Sequence, residues 1–251
     1  MKDIILITGA TSGFGKSIAE IFAKSNFKVI ITGRRSERLA EIENELRNIA
    51  GAEILSLCFD VSKREETFAA IASLPLDWQK ISILVNNAGL ALGRDYFEEA
   101  NLDDWETMID TNIKGVVYMS KAVLPAMIQQ QKGHIINIGS TAGKEVYEKG
   151  NVYCATKHSV NALSESMRID LLRHKIKVTC INPGAADTEF SLVRYKGDEK
   201  LAETVYEGYN PLHASDLAGI TYYCATLPPH VCINDLVVTC TSQANSYYLH
   251  K

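Results

Sequence analysis

The sequence predicts a three-layer α/β/α fold, a doubly wound parallel sheet with helices on both faces, and three observations carry that expectation. Short runs rich in Ile, Val and Leu recur along the chain and alternate with amphipathic stretches of helical length. A glycine-rich turn follows the first of these runs directly. No linker, low-complexity stretch or internal repeat breaks the alternation, so residues 1–251 are expected to form a single domain.

Residues 3–8 read as a buried strand, after which Gly9, Thr11, Ser12, Gly13, Phe14 and Gly15 open an amphipathic segment running to about residue 24. Strand, glycine turn and helix start together make a phosphate cradle of Rossmann type. Glycine lets the backbone approach a pyrophosphate, whose charge then sits at the positive end of the helix. A flexible turn is the competing reading, and the position straight after the first strand favours the cradle.

A second strand, 28–32, ends in Gly33-Arg34-Arg35. In a dinucleotide fold this strand end meets the adenosine ribose, where an acid would bind the 2′-hydroxyl of NAD and arginine suits the 2′-phosphate of NADP. No acid stands there, which favours NADP. The alternative is that both arginines begin a solvated helix over 36–50. The next strand, 53–59, terminates at Asp60 and Val61, ahead of a helix rich in Glu and Ala. Asp60 can hold an adenine amino group or cap a helix beginning near Ser62. A fourth strand, 81–85, leads into Asn86, Asn87, Ala88 and Gly89. Small residues there let a cofactor lie on the backbone, and asparagine can tie neighbouring strands together.

A helical stretch over 102–131 contains Asn112 and is expected to be interrupted at Pro125. A fifth strand, 133–140, ends at Ser140, and a polar loop over 141–150 feeds the helix carrying Tyr153 and Lys157. A sixth strand, 177–181, precedes Asn182, Pro183 and Gly184. Residues 187–209 are polar and mixed, with Gly197 and Gly208 as candidate hinges, and at a strand's carboxyl end such a segment suits a lid. A helix over 215–226 and a strand over 236–240 complete the alternation.

Composition narrows the function classes. With 26 Lys+Arg against 30 Asp+Glu the net charge is -4 and no long basic run occurs, so neither nucleic acid nor an anionic membrane is expected as the main partner. The first apolar run stops at Thr8-Gly9, and no segment reaches the ~20 apolar residues of a membrane span. A cytoplasmic location is expected. Six scattered cysteines with no Cys-x-x-Cys pair read as buried free thiols. The histidines form no His-Glu-x-x-His pattern, His134 and His158 read as structural, and no metal site is expected.

The chemistry concentrates at Tyr153 and Lys157, four residues apart and therefore on one helix face. An unperturbed phenol, near pKa ~10, is a poor acid or base at neutral pH, and a neighbouring ammonium would favour its ionised form. Reversible carbonyl reduction needs such a group, because the substrate oxygen gains a proton as hydride reaches its carbon. Ser140 could hydrogen-bond the same oxygen.

Taken together, Thr8-Gly9-x-x-x-Gly13-x-Gly15, Asp60-Val61, Asn86-Asn87-Ala88-Gly89, Asn112, Ser140, Tyr153-x-x-x-Lys157 and Pro183-Gly184-x-x-x-Thr188 resemble the short-chain dehydrogenase/reductase family from end to end. The resemblance implies that Tyr153 is the acid/base, that Lys157 binds the nicotinamide ribose and tunes Tyr153, that Ser140 orients the substrate, and that Asn112 holds a water in a proton relay. It implies an NADP cofactor along Gly9 to Gly15, Arg34, Arg35, Asp60, Val61, Asn87 to Gly89 and Pro183, Gly184 and Thr188, a small-molecule substrate, no catalytic metal, and a homotetramer joined through the helices of the 102 and 153 segments and the C-terminal region. A finer similarity, in Leu90-Ala91-Leu92-Gly93, Gly139-Ser140-Thr141-Ala142-Gly143 and Thr188-Glu189-Phe190-Ser191, is to NADP-dependent 3-hydroxy acid dehydrogenases acting on serine, allo-threonine and malonic semialdehyde-type compounds. Reduction of other ketones or acyl thioesters, and cofactor binding without turnover, are the alternatives. Ser12 stands where many NADP-preferring members carry a basic residue, so the phosphate preference rests on Arg34 and Arg35. Arg194, whose planar donor fork suits a carboxylate, is a candidate substrate-binding residue in the lid or else a surface residue. The final residues, 247–251, are expected to pack at a subunit interface or to fray.

Overall fold

The computed structural model describes residues 2–251. Strand β1 (Ile4–Ile7) is buried along its whole length, as a run of four branched and aliphatic residues with no polar face requires. It feeds α1 (Gly13–Ala23), and the alternation continues through β2 (Lys28–Gly33), α2 (Ser36–Arg47), β3 (Glu53–Cys58), α3 (Arg64–Ala72) and β4 (Ile81–Asn86). After α4 (Leu102–Ile109) and α5 (Gly115–Gln130) come β5 (Gly133–Ile138), α6 (Asn151–Leu171) and β6 (Ile176–Pro183). The strands form one seven-stranded sheet in the order β3-β2-β1-β4-β5-β6-β9, every pair parallel, where β9 is Asp235–Val238. Between β6 and β9 lie β7 (Ala186–Asp187), α7 (Phe190–Arg194), α8 (Glu199–Thr204), β8 (Leu212–His213) and α9 (Ala214–Thr226).

Side-chain alternation along each strand divides the core between two faces. Ile5 and Ile7 join Phe22, Ile31, Val85 and Leu217 under α1, α2 and α9. Ile4 and Leu6 join Ile30, Leu84, Met119 and Val178 on the opposite face. Each such side chain contributes about 1.5–3 kcal/mol by leaving water, and the two layers together fix strand register. The predicted doubly wound α/β/α architecture is therefore observed.

Two local expectations change. Pro125 does not interrupt its helix: it lies inside α5 on an exposed position, where water can satisfy the carbonyl that loses its partner. The irregularity sits earlier, where Asp110–Lys114 form a π turn between α4 and α5. Helix α3 begins at Arg64 instead of near Ser62, because the Asp60 carboxylate accepts from Ser62 N at 2.9 Å and holds residues 60–63 as a turn. The C-terminal segment turns back on its own subunit. Gln243 and Leu249 form an antiparallel bridge, and Ser246 N donates to Glu145 Oε2 at 2.9 Å.

The six cysteines are free: Cys154, Cys180, Cys224 and Cys240 are buried, Cys232 is half-buried, and Cys58 is exposed. His134 is buried against Thr179 Oγ1 at 2.7 Å and pushed down to about 3 by desolvation, and His158 Nδ1 lies 2.9 Å from Cys154 O, both in packing roles.

Candidate active site

A cleft of about 770 Å3 opens at the carboxyl ends of the strands, over the point between β1 and β4 where the winding direction reverses. A parallel sheet leaves a crevice there because successive crossovers go to opposite faces.

One half of the cleft is built from backbone. Gly9 has φ +64°, and a Cβ on it would lie 2.9 Å from Ala88 Cα. A Cβ on Gly15 would lie 2.4 Å from Gly9 O and 2.5 Å from Asn87 Nδ2, so only glycine fits. Thr8 Oγ1 accepts from Asn87 N at 3.0 Å and Ala88 N at 2.9 Å, while Asn87 Nδ2 donates to Thr8 O at 2.8 Å and Gly9 O at 3.1 Å. Asn86 Nδ2 donates to Asn137 Oδ1 at 2.8 Å and ties β4 to β5. Both asparagines thus connect strands as anticipated. The start of α1 carries neither a side-chain cap nor an acid in its first turn, which leaves its amide donors directed at the cleft.

At the carboxyl end of β2, Arg34 and Arg35 both line the cleft. Arg35 Nη2 donates to Thr11 Oγ1 at 2.9 Å and Ser12 Oγ at 3.3 Å, so it is drawn to the glycine turn while its backbone precedes α2. Sequence reasoning missed Arg38, whose Nε donates to Thr11 O at 3.3 Å. Its position in the first turn of α2, three residues after Arg35, is the signal that could have found it. Asp60, Val61 and Thr188 also line the cleft, and Pro183 and Gly184 close its far wall.

At the other end, Tyr153 and Lys157 are both buried and both line the cleft with Ser140. Ser140 accepts from Ala142 N at 3.1 Å, which starts the short 3-10 turn after β5 and turns the serine toward the site. Lys157 Nζ donates to Ile138 O at 3.0 Å and lies 6.0 Å from the centre of the Tyr153 ring. Asn112 sits within the π turn, a widening often found at functional positions. Its Oδ1 accepts from Leu90 N at 2.9 Å, and its Nδ2 donates to Leu90 O at 2.8 Å and Thr156 Oγ1 at 3.1 Å, so it pins the loop after β4 to α6.

The electrostatics differ from the expectation that the Lys157 ammonium governs the phenol. Burial is the dominant influence and raises the Tyr153 pKa well above its ordinary value, with Tyr147 adding to the rise. A hydrogen bond from Ser140 and the charge of Arg194 act in the opposite direction. Lys157 is itself pushed down to about 8, because desolvation penalises a buried ammonium.

Arg194 is no surface residue. It is half-buried in the cleft wall, with its Cζ 5.6 Å from the ring centres of both Tyr147 and Tyr153. Nη1 donates to Tyr147 Oη at 3.0 Å and Nε to Gly93 O at 3.4 Å. Both partners are neutral, since burial raises the Tyr147 pKa above its usual value. Tyr147 had no signal in the sequence: it is one polar-loop residue among ten, and only the fold brings it to Arg194.

The residues present fit a dinucleotide. Uncapped helix amides and a glycine turn too tight for any Cβ suit a pyrophosphate, and a pair of guanidinium groups beside that turn suits a further phosphate.

Comparison with known proteins agrees with this geometry. Residues 3–198 match a model of the short chain dehydrogenase family. The NADP-dependent 3-hydroxy acid dehydrogenase YdfG of Escherichia coli (strain K12) is 48% identical over 242 residues, covering 96% of each chain. Sulfoacetaldehyde reductase 2 of Chromohalobacter salexigens is 43% identical over 249 residues, 99% of this chain and 98% of that one. Among solved structures, the closed form of serine dehydrogenase complexed with NADP+ superposes with a TM-score of 0.93 at 47% identity, covering 99% of each chain.

Proposed function

The chain belongs to the short-chain dehydrogenase family, and from that premise we propose that it transfers hydride between NADP and the hydroxyl-bearing carbon of a 3-hydroxy acid of the serine, allo-threonine or 3-hydroxypropionate type. One observation carries the substrate class. Arg194 holds a guanidinium in the cleft wall, beside the Tyr153 ring, with only neutral hydrogen-bond partners. A half-buried cation of that kind is matched by an anionic substituent on the substrate.

When bound, the nicotinamide supplies the hydride acceptor or donor. The uncapped start of α1 and the turn from Gly9 to Gly15 would hold the pyrophosphate, Arg34 and Arg35 the 2′-phosphate, and Lys157 the nicotinamide ribose. Ser140 holds the substrate oxygen, and Tyr153 gives it a proton in reduction or takes one in oxidation. Because burial raises the Tyr153 pKa, the neutral phenol prevails near neutral pH and is the form that donates. Carbonyl reduction therefore runs with the resting protonation state, and oxidation gains as pH rises toward the phenol's pKa. Asn112 would position the water of the proton relay, and residues 187–209 would close over the substrate. The clip between β7 and β8 and the positive φ of Gly197 and Gly208 support that lid.

A guanidinium does not by itself separate a carboxylate from a sulfonate, and the similarity to a sulfoacetaldehyde reductase makes small sulfonated aldehydes the second reading. Initial rates at the nicotinamide absorbance band, with NADP+ and NAD+, against L-serine, L-allo-threonine, 3-hydroxypropionate and a neutral secondary alcohol test the first. Turnover of the acids with NADP+ supports it; turnover of the alcohol alone leaves a dehydrogenase and removes the 3-hydroxy acid assignment. Sulfoacetaldehyde with NADPH tests the second.

The same reading includes a homotetramer in the cytoplasm. Exposed Leu102, Ile109 and Val117 on the α4–α5 side and Ile169 on α6 support association. Among the described residues no helix is long and apolar enough to cross a membrane. Light scattering coupled to gel filtration measures the assembly, and a monomer would remove that part.

A further inference from the structure

Glu189 joins β7 to α7 and holds two arginines at once. Its Oε2 accepts from Arg35 Nη1 at 3.2 Å and Nη2 at 3.3 Å, and its Oε1 accepts from Arg38 Nη2 at 2.9 Å. Both arginines belong to the entry of α2, on the far side of the cleft, and both also bond Thr11 in the glycine turn. A carboxylate from the root of the lid therefore sits among the donors of the adenosine end. The next residue, Phe190, packs its ring 5.6 Å from that of Tyr153. One short segment touches the arginines at one end and the reactive tyrosine at the other.

We propose that Glu189 is an internal competitor for the phosphate-recognising arginines. It occupies guanidinium donors that a 2′-phosphate would use, weakens NADP binding relative to its absence, and couples phosphate recognition to the position of the lid root. The inference rests on the NADP reading above. Arg35 presents a single fork, and a carboxylate and a phosphate that share it repel one another. Gln has the same size as Glu and removes that repulsion. The two pairs are partly solvated, with side-chain exposures of 48% for the arginines and 33% for Glu189, so the effect is moderated by screening.

The test is isothermal titration calorimetry on the full chain with adenosine 2′,5′-bisphosphate and with 5′-AMP, neither of which is turned over. Wild type is expected to prefer the bisphosphate; equal affinities overturn the NADP reading and the inference with it. Glu189→Gln is expected to bind the bisphosphate about five-fold more tightly and 5′-AMP unchanged, whereas Glu189→Asp, which keeps the charge, stays near wild type. If Glu189→Gln tightens both ligands equally, tightens neither, or weakens the bisphosphate while wild type retains its preference, the competitor role is overturned and the NADP reading stands. Amide hydrogen exchange at residues 189–194 reads the coupling. The bisphosphate, and not 5′-AMP, is expected to alter it in wild type, and identical exchange with both ligands overturns the coupling.

Discussion

The two ends of the cleft are made in different ways. The end proposed to take the pyrophosphate is a lattice of backbone groups and two asparagine-threonine ties at the ends of adjacent parallel strands. The end proposed to take the substrate is assembled by segments far apart in sequence, with Arg194 on Tyr147 and Gly93 N on Arg194 O at 3.0 Å. A ligand shared by many enzymes can be met by main-chain geometry, which the fold reproduces whatever the side chains. A ligand peculiar to one enzyme must be met by side chains carried on loops, which can change without disturbing the sheet.

Four variants sharpen that contrast. The largest expected effect is at the meeting point of both ends: Tyr153→Phe should lower kcat by ~10³-fold or more while NADPH binding, followed by fluorescence, is retained. Unchanged turnover would remove Tyr153 from the acid/base role. Arg194→Met breaks only the substrate end, and the KM for hydroxy acids should rise about 30-fold or more with a small change for a neutral alcohol. Equal changes for both substrates would show that Arg194 is a packing residue. Gly15→Ala breaks only the cofactor end. Its Cβ meets Gly9 O at 2.4 Å, so stability should fall by about 1–3 kcal/mol and NADPH affinity about ten-fold, with the acid-to-alcohol preference intact at saturating cofactor. A changed substrate preference would mean that the two ends are not separable.

The last effect is on stability alone. Folding lowers the Lys157 pKa from 10.5 to about 8, so the unfolded chain binds more protons between those values and stability rises with pH across that window. Below it the buried ammonium costs the full amount. Lys157→Met, which is inactive on the proposed mechanism, should therefore be more stable than wild type at pH 7, on the order of 2 kcal/mol by denaturant unfolding. That advantage should shrink as pH rises toward 10. A destabilised variant at pH 7 would mean that the bond to Ile138 O outweighs the desolvation.

The same contrast explains what the letters carried. The glycine turn, Asn86 and Asn87, and the tyrosine-lysine pair were legible because strand ends and one helical face impose short, fixed spacings. Glu189 and Arg35 are 154 residues apart and Arg194 and Tyr147 are 47 apart, and no local pattern marks either pair. The π turn around Asn112 was hidden because its extra residue is accommodated by packing. Gly115, which follows it, sits so close to Val61 that a Cβ would lie 3.0 Å from Cγ2. The desolvation of Lys157 was hidden for a related reason: the residue type announces a cation, and only the fold reveals how thoroughly it is buried.

The pairing of Ala186 with Leu212 and of Asp187 with His213 has one more consequence. It fixes the distance between the two points where the segment proposed as a substrate cover leaves and rejoins the body, whatever lies between them. Chain inserted between fixed ends costs only the logarithm of its length, about 0.6 kcal/mol for each doubling. Covers of different length and composition are thus interchangeable on one unaltered nucleotide platform, so a lineage carrying this clip can explore new substrates by swapping a module without redesigning the enzyme.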